Sequence, residues 1–393
     1  MVLNYLHGNS YSLKGLSNCE DARVMEALLQ QLSRREQQPY QCMSSGTVAR
    51  CMMALLATVP GEHLLTGDKR LQERPMEELI TALNGVGFNI QSIEREGYLP
   101  VVIHGGLPRR KMVFVDPSRS SQFVSALMLV APELPEGMTL VMTKRASSRP
   151  YIEMTRHLLE ETGVTVTLSS NGRTYQIPHR EVSAQPRVVR VESDWSAAAP
   201  FLSAAALARG HRIRLKGLTL PSIQGDSAVL DFFAPLGIQA RLVHSPYRGR
   251  ATSVTVAAIS DPERLYRANF IDNPDLFPSV AVTCAALGVN AHLRGIANLS
   301  LKESDRLEAV RQQLTDMGCR ITLSDKEMHL YPSRLHPIQR VKCYGDHRIA
   351  MAFAPLLLLF PEMYIDEPSV VDKSFPDFWT QFERVRRAVG RSV

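Results

Sequence analysis

Five stretches of the chain are apolar on nearly every side: "SSGTVARCMMALLATV", "SSQFVSALMLVAP", "DWSAAAPFLSAAALA", "DLFPSVAVTCAALGV" and "DHRIAMAFAPLLLLF". A helix with no polar face belongs inside a core, so each predicts a buried helix. Each also opens on polar, capping-type residues: Ser44-Ser45, Ser120-Ser121, Asp194, Asp275 and Asp346. A buried helix with a polar start turns that end toward water or ligand. Several such starts aimed at one cleft would make a strongly electropositive pocket, because helix N-termini carry partial positive charge and free N–H groups.

Four further stretches are amphipathic: "ELITALNGVGFNI", "HLLEETGVTVTL", "VLDFFAPLGIQARLV" and "EAVRQQLTDMGCRITL". Each stops at a glycine (Gly87, Gly163, Gly237, Gly318) and runs into alternating, strand-like sequence. Glycine after the last turn is the expected helix stop. The stops recur about every 75 residues, longer than any solenoid repeat, so the repeating unit is a complete motif of strands and helices. Five buried helices imply a sixth by symmetry, placed before the first. The opening "MVLNYLHG" reads as the rear half of such a helix. The expected organisation is two lobes of three units each, 1–190 and 191–393, the first unit short.

The chain has 393 residues, too many for one ordinary hydrophobic core. With 45% hydrophobic and 21% charged residues it has the composition of a soluble protein. The longest apolar run, 349–360, is too short to span a bilayer. The start has no basic n-region and no small-residue cleavage site. Six scattered cysteines with no paired spacing favour reduced thiols, hence the cytoplasm, over a disulfide frame or a zinc site. A net charge of +6 suits anionic small molecules, and no motif points to nucleic acid.

One segment asks for more. In "SLKESDRLEAVRQQL" Leu307, Val310, Leu314 and Met317 form a helical stripe, with Ser304 as the expected N-cap. Lys302 and Arg306 then crowd a helix end that is already positive. A solvated charged loop accounts for this, and so does a site holding a phosphate or carboxylate.

The ordered motifs "SGTVAR", "GDKRLQERPM", "SSQFVSALML", "SRPYIEMT", "QGD", "NPDLFPSVAV", "NLSLKESDRL", "DHRIAMAFA" and "KSFPDFW" carry a resemblance over nearly the whole chain. It resembles the 3-phosphoshikimate 1-carboxyvinyltransferase (EPSP synthase) family. The resemblance implies an α/β fold: a two-lobed, inside-out α/β barrel of repeated βαβαββ units, with the active site between the lobes. It implies transfer of the enolpyruvyl group of phosphoenolpyruvate to the 5-hydroxyl of shikimate 3-phosphate, releasing phosphate, with no metal or cofactor. It further implies a cytoplasmic monomer acting on small molecules, with no nucleic-acid or membrane partner. Such chemistry needs carboxylates and amines for proton transfer and fixed positive charge around a crowded anionic intermediate.

Carried over by motif, Asp275 and Glu303 correspond to the catalytic carboxylates. Ser120, Ser121, Gln122, Ser148, Tyr151, Asp275, Asn298 and Lys302 correspond to shikimate 3-phosphate contacts. Gly46, Arg70, Gln122, Arg306, Arg348 and Lys373 correspond to phosphoenolpyruvate contacts; arginine's planar fork suits both phosphate and carboxylate. Taken singly, Asp275 reads equally as an N-cap and each arginine as a surface ion pair. His347 is expected to orient Arg348 or to be a core histidine, Arg50 and Asp194 to line the cleft, and Arg74, ahead of Pro75, to be structural.

The family's leading strand and Lys-Ser-x-Ser-Asn-Arg stretch have no counterpart here, and Ser44 stands where the family carries asparagine. Two readings follow: an internal Met1 with the motif upstream, or a truncated homologue that is catalytically impaired or silent. A related transferase acting on UDP-N-acetylglucosamine is a further alternative, which "SSQ", "SRPY" and "KESDRL" argue against.

Overall fold

The computed structural model describes residues 1–181, 187–244 and 251–390. The chain divides into two compact units, Met1–Val191 and Glu192–Val393. The apolar-all-round stretches fold as buried helices. In the first unit they are Gly46–Thr58 and Gln122–Val130, which pack on each other. In the second they are Ala199–Leu207, Phe277–Ala286 and His347–Phe353. Alanine and serine along Ala199–Leu207 let it approach Phe277–Ala286 closely. Between them Thr283 Oγ1 donates to Ser203 Oγ at 2.8 Å, so both buried hydroxyls have a partner, as buried polar groups need.

The repeat is visible as chain order. Strand, buried helix, strand, amphipathic helix and two antiparallel strands follow one another three times in full. The sheets so formed are Tyr40–Gln41/Gly61–Thr66/Val101–Gly105/Asn89–Ser92, then Met112–Val115/Met138–Met142/Thr174–Ile177/Thr167–Leu168, and in the second unit Leu265–Asn269/Asn290–Arg294/Glu327–Leu330/Ile321–Leu323. In each the first pair is parallel and the others antiparallel. A fourth repetition has three strands, Ile213–Leu220/Ala251–Ala258/Ile238–His244. Its would-be first strand, Arg187–Arg190, pairs instead in parallel with Tyr11–Lys14. A parallel pair Arg340–Val341/Tyr364–Ile365 flanks His347–Phe353.

All four glycine stops adopt positive φ, between 87° and 105°. Beyond three of them the next N–H reaches back across the glycine: Phe88 to Leu83 O, Val164 to Leu159 O and Cys319 to Leu314 O. That is the bond pattern an αL glycine makes possible. Each unit has its own apolar core, one drawn from residues 2–177 and the other from 195–382. Among the described residues no helix is long and apolar enough to cross a membrane.

Gly105, the last residue of its strand, lies so close to the end of helix Gly46–Thr58 that an added Cβ would sit 1.8 Å from Val59 O. Backbone cannot yield as a side chain can. Gly105→Ala is therefore expected to cost about 1–3 kcal/mol in urea unfolding. Gly106→Ala, which meets nothing within 4 Å, should change the midpoint little. Equal midpoints for the two variants would show that the helix end is not pinned to the strand.

Candidate functional site

In the second unit several chain segments converge on Arg306. The residue opens helix Arg306–Asp316, but the cap is not Ser304: Asp305 accepts from Glu308 N at 3.0 Å. Ser304 is released to donate to Asp346 Oδ2 at 3.0 Å. Asp346 is the cap of His347–Phe353, accepting from Arg348 N at 2.9 Å. Asp275 lies in the 3-10 turn Pro274–Leu276 and does not cap the helix that follows, whose cap residue is Leu276 with no side-chain bond. Lys302 follows the 3-10 turn Ala297–Leu301, which holds the half-buried Asn298, and Lys373 ends the turn Pro368–Lys373.

The Arg306 side chain is 2% exposed and is gripped on every edge. Nε donates to Asp346 Oδ2 at 2.8 Å and Nη2 to Asp346 Oδ1 at 3.3 Å. Nη1 donates to Asp275 Oδ1 at 2.8 Å, and Nη2 lies 3.6 Å from Glu303 Oε2. The acids in turn hold other cations. Asp275 meets Arg348 Nη2 at 3.1 Å and Lys302 Nζ at 3.3 Å. Glu303 meets Lys373 Nζ at 3.2 Å and His347 Nδ1 at 2.8 Å. His347 thus addresses Glu303, where the sequence suggested Arg348. Arg348 Nη2 also donates to Ser196 Oγ at 3.1 Å, and Ser196 is tied to Asp194 at 2.7 and 2.8 Å.

Four permanent cations and three carboxylates therefore form one network. The bare electropositive pocket expected from the sequence is here almost neutralised from within. Burial alone would raise Asp275, but Arg348, Lys302 and Arg306 outweigh it and hold the carboxyl well below its usual range. Burial likewise opposes ionisation of Glu303 and is outweighed by His347, Arg306 and Lys373. Asp346 is lowered by Arg306 against the same burial cost. Burial would lower Arg306, yet Asp346, Asp275 and Glu303 hold its guanidinium above its ordinary value. Glu303, Asp346 and His347 bring ligand-type atoms within 4.8 Å of one another. Arg306 contacts two of the three, Glu303 and Asp346.

The first unit holds a second polar group. Ser45 caps Gly46–Thr58, and Ser120 Oγ accepts from Gln122 N at 3.3 Å. The Gln122 amide is oriented on both sides: Oε1 accepts from Arg50 Nη1 at 2.7 Å and Nε2 donates to Thr47 Oγ1 at 2.9 Å. Arg50 and Arg74 are both buried and lean on the Gly46 backbone. A Cβ there would lie 2.5 Å from Arg50 Nη1 and 2.6 Å from Arg74 Nη1. Burial and the neighbouring Arg74 push the Arg50 guanidinium well below its ordinary value. Ser121 is buried at the start of Gln122–Val130. Ser148, buried with φ of 53°, and half-buried Tyr151 begin the adjoining helix Arg149–Glu161.

Arg70 does not join this group. It sits on the one-turn helix Lys69–Gln72, 43% exposed, and pairs with Glu73 at 2.9 Å. The helix ends at once, and the chain turns Arg74 inward. The arginine brought against Gly46 is therefore Arg74, the one the sequence suggested was structural. Burial was the missing signal: Arg70 pairs with Glu73 at the surface, whereas Arg74, though also followed by acids at i+3 and i+4, is buried.

Comparison with known proteins agrees with this organisation. Residues 11–382 match the EPSP synthase family (3-phosphoshikimate 1-carboxyvinyltransferase). A 3-phosphoshikimate 1-carboxyvinyltransferase of Bacteroides fragilis is 32% identical over 389 residues, 98% of this chain and 91% of that protein. One from Dehalococcoides mccartyi is also 32% identical, over 90% of this chain and 80% of its own. The EPSP synthase of Acinetobacter baumannii shares the fold with a TM-score of 0.73 at 19% identity, covering 98% of this chain and 93% of its own. So does the enolpyruvyl transferase NikO of Streptomyces tendae, with 0.71 at 14%, covering 98% and 92%.

The three depressed carboxylates have a stability consequence with a definite sign. A group more acidic in the folded chain than in the unfolded one favours folding above its unfolded pKa, about 4 for a carboxyl. That contribution is lost as pH falls toward the folded value. The thermal midpoint is expected to hold between about pH 7 and 5 and to fall steeply below about pH 4. The acid limb should be shallower in Asp275→Asn, which removes one of the linked groups. An unchanged limb in that variant would show Asp275 to be unlinked to folding.

Proposed function

The chain belongs to the EPSP synthase family, and on that premise we propose how its side chains serve the family's reaction. It transfers the carboxyvinyl group of phosphoenolpyruvate to the 5-hydroxyl of shikimate 3-phosphate, giving 5-enolpyruvylshikimate 3-phosphate and phosphate. The observation that carries the assignment is the Arg306 network. It puts both candidate acid–base carboxylates within reach of Lys302, Arg306, Arg348 and Lys373, in one buried cluster built from the family's own motifs. The family match and the names of the relatives favour this reading over a silent homologue and over transfer to UDP-N-acetylglucosamine.

Both substrates carry phosphate and carboxylate groups, so they compete for the cations that now hold Asp275 and Glu303. As the ligand takes Lys302 and Arg348, Asp275 loses what makes it so acidic and becomes a working base. It then accepts the 5-hydroxyl proton as that oxygen bonds to the central carbon of phosphoenolpyruvate. The methylene carbon gains a proton, giving a tetrahedral intermediate. The C–O bond to phosphate breaks, and loss of a methyl proton restores the double bond. Glu303, bridged to Lys373 and His347, serves as the second acid–base group.

Arg306, Arg348 and Lys373 are assigned to phosphoenolpyruvate, Lys302 and Asn298 to the shikimate phosphate. From the first unit, Ser120, Ser121, Gln122, Ser148 and Tyr151 are assigned to shikimate 3-phosphate, with Gln122 and Gly46 also facing phosphoenolpyruvate. The arginine joining them is Arg74 in place of Arg70, because it is buried against Gly46 beside Arg50. An anion there would relieve the repulsion between two buried guanidiniums. The working species is taken to be a single cytoplasmic chain.

Phosphate release by the purified chain with both substrates tests the reading; none above background, with intact binding controls, would overturn it. Arg74→Ala should lower kcat/KM for phosphoenolpyruvate at least about thirtyfold, as loss of a buried charged contact costs about 2 kcal/mol or more. Arg70→Ala should stay within about threefold, the scale of an exposed pair. The reverse ranking would return the role to Arg70.

A further inference from the structure

Asp346 is fully buried, so it has no route to substrate, yet it touches both arginines assigned above to phosphoenolpyruvate. Its two oxygens accept the Nε and Nη2 edge of the Arg306 fork, while Oδ1 also accepts Arg348 N. We propose that Asp346 is a positioning residue. By holding one edge of the Arg306 guanidinium and capping the helix that carries Arg348, it fixes the two arginines relative to each other.

The directions of the bonds support this. A guanidinium has five N–H donors in one plane. Asp346 takes those on the Nε side, which leaves Nη1 to point at Asp275 Oδ1. Ser304 and Arg306 both donate to Asp346 Oδ2, so neither oxygen is left to turn the carboxylate elsewhere. The arrangement resembles a bidentate arginine–carboxylate clamp, with the outer edge held by Asp275 until an anion takes its place. A carboxylate is needed for it. An amide would present N–H to N–H at one of the two contacts, and a hydroxyl could keep the helix cap but not the fork.

This rests on the phosphoenolpyruvate reading of Arg306, so the experiment separates the two. Asp346→Ser keeps a capping oxygen of equal quality while removing the fork, and Asp346→Asn keeps the size while removing the charge. In Asp346→Ser, kcat/KM for phosphoenolpyruvate should fall at least tenfold, with KM for shikimate 3-phosphate within threefold of wild type. In an Arg306→Ala background the same substitution should add less than twofold, because its effect passes through Arg306. Losses that multiply in the double variant, or unchanged phosphoenolpyruvate kinetics in a folded Asp346→Ser chain, would overturn the proposal.

A readout free of turnover covers failure of the functional reading itself. The Arg306 Nε–H resonance, assigned by its loss in Arg306→Lys, should exchange slowly with solvent in the wild type and at least tenfold faster in Asp346→Ser. Should Asp346→Ser fail to fold, the same resonance is read in Asp346→Asn. Unchanged protection would refute the clamp whether or not the chain is an enzyme.

Discussion

A guanidinium shut away from water must have its charge and its N–H donors matched, and Arg306 is matched by a cage of carboxylates. Removing its charge from solvent costs several kcal/mol, and removing any one partner leaves the others uncompensated. Asp346, Asp275 and Glu303 each come from a different part of the second unit. Satisfying one arginine therefore fixes the mutual placement of a 3-10 turn, a loop and a helix start. The hydrophobic helices around it supply most of the folding energy. The arginine sets where their polar ends must lie.

The same cage explains how a site for polyanions can exist before the anions arrive. Lys302, Arg348 and Lys373 would repel one another if left bare. Asp275 and Glu303 hold them together and are themselves kept ionised. Incoming phosphate and carboxylate groups then exchange places with protein carboxylates, so binding and the arming of the base are one event. The first unit uses a different device. There Arg50 leans on the neutral amide of Gln122, and its foremost charged neighbour is another arginine, Arg74. Glu78 offsets only part of that repulsion, and Arg50 stays below its ordinary value.

Much of this was legible in the sequence because it depends on periodicity. Helices apolar all round had to be buried, and glycines after amphipathic runs had to be stops; the positive φ values at Gly87, Gly163, Gly237 and Gly318 bear that out. The motif order named the family. What stayed hidden depends on side-chain direction across distant segments. Ser304 and Asp305 are both good caps, and only the presence of Asp346 draws Ser304 away. Asp346 reads as a cap, which it is, but its hold on Arg306 links positions far apart in the chain. Arg70 and Arg74 share one short motif, and the helix between them, a single turn long, decides which faces the core.

The central claim is that Arg306 is a fixed post while the cations around it change partners. The most direct test is a crystal structure of the chain with shikimate 3-phosphate and inorganic phosphate bound. The account predicts both Asp346 oxygens still on Arg306, with Arg348 and Lys302 moved from Asp275 onto the ligands. Asp275 still held by both cations beside a bound ligand, or Arg306 detached from Asp346, would contradict it.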